Sequence, residues 1–247
     1  MKPKLKTLAQ LAAILLIAYV LKSFYSTASV NDLRWILAPT TFLVELITGR
    51  QFTFESQAGY MSTDHTFLIA ASCSGVNFLI ISLMVLSLGT IWREWPRAIE
   101  WKALSIAAFV AYGSTVVANT TRIVVALYSQ NVEMNWLSHD ELHRIQGIVI
   151  YFGFLLAVFT VSERFADRGK RIWNSAAIFG WRPAFLLVLY YSVTLGVPLV
   201  RGSYRDAAFC KHSIVVITIP LILLVPFLIY SATNNNRRTE SKGAELP

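Results

Sequence analysis

Charge is scarce in this chain: of its 247 residues only 15% are Asp, Glu, Lys or Arg, whereas 55% are hydrophobic, and mean hydropathy is +0.53. So little charge excludes a soluble domain, about a quarter of whose residues are normally charged. Cysteine is scarcer still. Cys73 and Cys210 are the only two, too few for a disulfide scaffold and without the Cys-x-x-Cys spacing of a zinc site. Acidic residues number 14 against 22 Lys and Arg, for a net charge of +8. A basic stripe with interleaved aromatics is missing, so this excess does not read as a nucleic-acid surface. The basic residues instead sit in short clusters between apolar stretches, where they orient helices against an anionic bilayer. An internal repeat, an inverted pair of broken helices and ionisable residues deep inside the apolar runs are all lacking, which argues against a transporter.

What the chain does have is apolar runs. A hydrocarbon core of roughly 30 Å takes about 20 helical residues at about 1.5 Å each. Six runs approach that length: 8–21, 73–92, 101–128, 145–161, 183–200 and 214–231, the last with Pro220 and Pro226 as kinks. They predict an all-α integral membrane protein, a bundle of about six transmembrane helices in one multi-pass domain over 1–247. The first run also has the shape of a secretory signal, with Ser26-Thr27-Ala28 as its cleavage site; an uncleaved anchor is the preferred reading. Residues 22–72 read as an external segment. Within it, 31–48 mixes apolar and charged residues as an interfacial helix does, and 51–69 suits a loop or short hairpin turning at Gly59. The polar tail 234–247 reads as disordered. Lys and Arg favour the inner segments by about two to one when both termini are cytoplasmic.

Under that topology Cys73, Arg122 and His143 reach the outer face at one depth. A thiolate is the attacking form of cysteine, and a helix N-terminus or a nearby cation favours it. Ser72, Ser74 and Gly75 surround Cys73 with capping hydroxyls and a backbone that a substrate can approach. Imidazole accepts a proton and imidazolium returns it to a leaving amine, so Cys73 and His143 form a minimal acyl-transfer pair. A fixed guanidinium at Arg122 suits the oxyanion of the tetrahedral intermediate, and Asn119, three residues earlier on the same helical face, is placed to orient it. Gly147, one turn beyond His143, leaves room for a neighbouring helix. Each residue alone also has a plain structural reading, as a buried thiol, a snorkelling arginine or an interfacial histidine. A metal alternative stays open as well. His139 and His143 are spaced i, i+4 around Asp140 and Glu141, although the zinc-protease motif puts glutamate directly after the first histidine. We expect no metal. His65 and His212 read as loop residues, and Cys210 as structural or interfacial.

Three blocks, Ala71-Ser72-Cys73-Ser74-Gly75, Asn119-Thr120-Thr121-Arg122-Ile123 and His143-Arg144-Ile145-Gln146-Gly147, resemble the signature of the exosortase/archaeosortase family of multi-pass membrane transpeptidases in order, spacing and external placement. The resemblance covers 67–154 well and the rest only as membrane helices. The short chain and the wording Cys-Ser-Gly-Val-Asn-Phe suggest the exosortase K branch. The resemblance implies a sortase-like cysteine peptidase or transpeptidase that needs no cofactor. It would work at the periplasmic or exterior face of the cell membrane, on exported proteins whose C-terminal sorting tail carries a short motif, a transmembrane helix and a basic end. It implies Cys73 as nucleophile, His143 as acid/base and Arg122 as electrostatic partner, supported by Ser74, Gly75, Asn77, Asn119 and Gly147. It leaves the acyl acceptor open. The alternative from another class is a non-enzymatic scaffold or assembly factor for surface or exopolysaccharide export, in which Cys73 tolerates replacement.

Overall fold

The computed structural model describes residues 3–94, 99–129, 139–167, 181–200 and 209–226. The chain divides into two compact units, Met1–Phe159 and Thr160–Pro247. The first unit opens with α1 (Pro3–Thr27) and α2 (Arg34–Thr48), followed by strands β1 (Phe52–Glu55), β2 (Gly59–Ser62) and β3 (Leu68–Ile69). A 3-10 turn at Ala71–Cys73 then leads into α3 (Val76–Glu94), α4 (Trp101–Ser129) and α5 (His139–Asp167), which runs on into the second unit. At 29 residues each, α4 and α5 are about 43 Å long, more than the roughly 30 Å hydrocarbon core, so their polar ends extend beyond it or the helices tilt.

α3 forms the centre of this unit. Of its apolar window 67% is buried, against 22% for α1 and 28% for the fifth helix, whose remaining surfaces are left for lipid. Lipid supplies no hydrophobic drive for helix association, so close packing and polar cross-links must hold the helices together. One such link is Gln10 of α1: its Nε2 donates to the Ile99 carbonyl at 2.7 Å, and its Oε1 accepts from Ile99 N–H at 3.2 Å. Another follows from proline chemistry. Pro39 inside α2 has no N–H to offer the Trp35 carbonyl four residues back. Tyr112 of α4 supplies the missing donor, its hydroxyl bonding that carbonyl at 2.8 Å while its ring stacks on Trp35. Farther along both helices Thr120 donates to the Thr40 carbonyl, so α2 runs alongside α4 in the same direction. Its other face leaves Phe42, Leu46 and Ile47 exposed, an apolar stripe suited to lipid.

The segment 51–69 is a three-stranded antiparallel sheet in the order β1-β2-β3, with Phe52 opposite Ser62 and Glu55 opposite Gly59. Gly59 opens β2 at φ +134, and a Cβ there would lie 2.3 Å from the Ile69 carbonyl oxygen, so no other residue fits. The sheet is tied to α2 at two points. Glu45 Oε1 accepts the Phe52 N–H at 2.8 Å, and the Arg34 guanidinium lies 4.4 Å from the Phe54 ring centre.

The second unit contains the end of α5, then α6 (Trp181–Tyr191), a π-helical turn at Ser192–Gly196, α7 (Val197–Val200) and α8 (Phe209–Pro226). The all-α bundle expected at about six spans is what the structure shows, with one of the six runs shorter and irregular. Among the described residues five helices are long and apolar enough to cross a membrane, α1, α3, α4, α5 and α8. The run 183–200 is helical but interrupted, because Pro198 brings no N–H to the ladder and the wide π turn lies just before it. The last span is already helical at Phe209, ahead of the expected 214; its continuation to 231 and the tail 234–247 lie outside the described residues. Tyr191 links α6 to α8 by donating to the Ile217 carbonyl at 2.9 Å.

Candidate active site

Cys73 ends the 3-10 turn, its N–H bonded to the Ala70 carbonyl at 2.9 Å and that of Ser74 to Ala71 at 3.1 Å. Gly75 then swings to φ +71, and its carbonyl accepts the Leu79 N–H at 3.1 Å to start α3. Any side chain at 75 would be strained at that φ, and its Cβ would lie 3.3 Å from both Asn119 Cγ and the Tyr151 hydroxyl. Cys73 therefore sits half-buried in a turn ahead of α3, not in the first turn of the helix as its spacing suggested. Ser74 caps nothing: it is fully buried and its hydroxyl has no hydrogen-bond partner.

From the Cys73 backbone a continuous set of hydrogen bonds crosses three elements. Asn119 of α4, fully buried, donates from Nδ2 to the Cys73 carbonyl. Its Oδ1 accepts the hydroxyl proton of Tyr151, on α5, at 2.7 Å. The same hydroxyl accepts from Arg122 Nη1 at 3.4 Å, and Arg122 Nη2 lies 2.9 Å from His143 Nε2. A guanidinium can only donate, so Nε2 accepts, which makes the imidazole neutral with its proton on Nδ1. The Arg122 side chain also lies within electrostatic reach of Cys73 and Tyr25.

Local sequence explains the convergence. His143, Gly147 and Tyr151 recur every four residues on one face of α5, and Asn119 and Arg122 are three apart on α4. Gly147 is small because Arg122 occupies its space; a Cβ there would lie 3.2 Å from Arg122 Nε. That Nε is buried and, like Ser74 Oγ, has no partner. Leaving such a donor unmet costs about 1–3 kcal/mol. A cost of this kind is tolerated where a ligand is to be met.

Four expected residues, Cys73, Asn119, Arg122 and His143, thus lie in one network, with Gly75 packed against its asparagine, Gly147 against its arginine and Ser74 beside its cysteine. Three details differ from expectation. His143 lies at least one turn inside α5, which is helical from the first described residue, His139, because polar residues 139–144 continue the helix beyond its apolar run. Asn119 orients Arg122 through Tyr151 and not by direct contact. Asn77 accepts from Lys22 Nζ of α1 at 2.6 Å, joining α1 to α3. Tyr151 escaped the sequence reading, although its spacing of four from Gly147 and eight from His143 was the available signal.

The remaining candidates lie elsewhere. His65, at φ 53, is in the β2–β3 turn as expected, whereas His212 lies in α8 and not in a loop. Neither Cys73 nor Cys210 is in a disulfide. The His139 side chain lies outside the described residues; a metal on His143 Nε2 would have to displace the arginine held there.

Residues 2–160 match the family described as transmembrane exosortase, well over half of the chain and ending where the first compact unit ends. The fold and the match together define a multi-pass membrane protein. The chain belongs to the transmembrane exosortase family, which at family level supports a membrane transpeptidase. Comparison with curated proteins and with solved structures gives no match.

Proposed function

We propose that this protein is a membrane-embedded cysteine transpeptidase that cleaves the C-terminal sorting tails of exported proteins at the outer face of the cell membrane, and passes the new C-terminus to water or to a surface acceptor. The observation that carries this reading is the unbroken hydrogen-bonded path from the Cys73 backbone through Asn119, Tyr151 and Arg122 to His143. The family and the inward bias of Lys and Arg support the membrane and its sidedness. A tail with its own transmembrane helix brings its cleavage point to the same depth as these residues.

The mechanism follows from which atoms are engaged. In the resting arrangement the Nε2 lone pair of His143 is occupied by Arg122. When Cys73 Sγ attacks the substrate carbonyl, negative charge develops on the carbonyl oxygen, and the guanidinium donor moves to it. That exchange frees Nε2 to take the thiol proton. Collapse of the intermediate breaks the C–N bond, His143 returns the proton to the leaving amine, and a thioester remains on Cys73. The acceptor then attacks the thioester, losing its proton to His143; the C–S bond breaks, and His143 returns that proton to Sγ to restore the thiol.

The experiment is to trap that thioester. Full-length protein co-expressed with a tail-bearing protein from the same genome should carry a hydroxylamine-labile acyl group on Cys73, found by mass spectrometry. Cys73→Ala should abolish both adduct and tail cleavage while leaving the protein inserted. Undiminished cleavage by the alanine variant would instead make the protein a scaffold.

A further inference from the structure

Tyr151 has no part in the steps above, yet its hydroxyl is the junction of the network. It has one proton, and Asn119 Oδ1 takes it at 2.7 Å, so toward Arg122 it can only accept. The donors therefore run one way, from Arg122 to Tyr151 to Asn119 to the Cys73 carbonyl, an order in which each bond polarises the next. The ring makes contacts of its own. It stacks on Phe78 of α3, centres 5.3 Å apart and planes 20° apart, and lies 5.6 Å from the Arg122 guanidinium. Ring and hydroxyl can thus be separated by experiment. In the resting arrangement Nη1 is held by Tyr151 and Nη2 by His143, with Nε against Gly147, so the Tyr151 bond is the one that anchors the guanidinium when Nη2 leaves His143.

We propose that Tyr151 is the positioning residue of this site, its hydroxyl fixing the Arg122 guanidinium relative to the turn that carries Cys73. The inference rests on the transpeptidase reading and adds to it the group that couples the cation on α4 and the imidazole on α5 to the nucleophile's backbone. Without the hydroxyl, Arg122 keeps a partner at Nη2 but loses its link to Cys73, and Asn119 Oδ1 loses its donor.

The test is Tyr151→Phe, which keeps the ring and its stacking, in full-length protein carrying Cys210→Ser so that Cys73 is the single thiol. The rate of Cys73 alkylation by iodoacetamide at fixed pH reads how well a cation attends the thiol, because the thiolate is the form alkylated; we expect a fall of roughly threefold or more. A tyrosine that merely fills space would leave the rate unchanged, and a loosened turn would raise it. Either result overturns the proposal. In tail cleavage kcat should fall roughly tenfold with KM unchanged, the signature of lost alignment. Asn119→Ala should lower alkylation similarly, and adding it to Tyr151→Phe should cost little more, since one path is being cut twice. Additive losses would mean that the two residues act separately and would refute the relay. The two readings fail differently. If wild-type protein forms no thioester on Cys73, the transpeptidase reading fails; if it does, and Tyr151→Phe alkylates and turns over like wild type, only the positioning role is lost.

Discussion

Two buried polar sites in the first unit make opposite use of their donors. At Gln10 the amide is 5% exposed, and both of its ends are engaged by the backbone of Ile99. At Arg122 both terminal nitrogens are engaged, but Nε is buried unpaired and the neighbouring Ser74 hydroxyl, fully buried, has no partner. A satisfied buried amide is what a bundle needs to fix helix register when lipid gives no hydrophobic drive. Unpaired buried donors beside a free thiol give the bundle nothing and are costly to keep. The first site is architecture, and on the proposed reading the second holds donors in reserve.

That contrast is broken most severely at the second site. On the proposed reading, His143→Ala should reduce tail cleavage by ~10² or more, the usual scale for losing a general acid/base, with insertion and melting temperature held. His139→Ala, four residues earlier, should cost far less. Equal losses, reproduced by a chelator and reversed by zinc, would mean that the pair binds metal and that Arg122 does not own Nε2.

Gly147→Ala is the next largest. The added Cβ would stand 3.2 Å from Arg122 Nε. A surface arginine would step aside, but this one is tied at both terminal nitrogens, so the methyl should be accommodated by shifting the guanidinium. A displacement of a few tenths of an ångström should lower kcat roughly tenfold, with small change in stability. Unchanged kcat would show that the arginine is less constrained than its contacts imply.

Gln10→Leu sharpens the other half of the comparison. It strands the Ile99 N–H and C=O in a buried place and should lower stability by about 1–3 kcal/mol, read as a drop in melting temperature in detergent. The rate of thioester formation per folded molecule should be unchanged. A loss of activity at constant stability would erase the distinction between the two sites.

The same division governs how much was legible in the sequence. A bilayer forces backbone polar groups into helices, so apolar runs of the right length located α1, α3, α4 and α5 well. Hydropathy could not see that α5 is already helical at His139, since a helix continues into water wherever its own ladder is satisfied. Nor could it distinguish a regular helix from the π turn at Ser192–Gly196, whose side chains are equally apolar. The course of α2 depended on a carbonyl freed by Pro39 and met by Tyr112, 77 residues away, and no local pattern announces that partner. At the site, reactive residue types and helix ends pointed to Cys73, Arg122 and His143. The hydroxyl that joins them looked like one more aromatic in an apolar run. Counting four from Gly147 would have singled out Tyr151.

The smallest effect is expected outside both sites, in the β2–β3 turn. The Ser62 hydroxyl and, after it, the side chain and N–H of Thr66 bond the Asp64 carboxylate and hold its pKa at about 2, below its usual 3.8; Arg50, 3.8 Å away, contributes least. A carboxyl held below its ordinary value stabilises the turn above that value, and the stabilisation fades as pH falls through the lowered one. From neutral pH to about 4 the turn should therefore be insensitive to pH, and between about 4 and 2 it should loosen. The measure is the exchange protection of the Thr66 amide, referenced at each pH to Asp64→Asn. Protection in wild type should exceed that of the variant at pH 5 to 7 and converge with it by about pH 2. Because the main partners of the carboxylate are neutral hydroxyl and amide groups, ~1 M salt should change the difference little, whereas it would suppress a contribution carried by the exposed Arg50 ion pair. Loss of the difference in salt at neutral pH would show that the charge, and not the hydroxyl of Ser62, orders this turn.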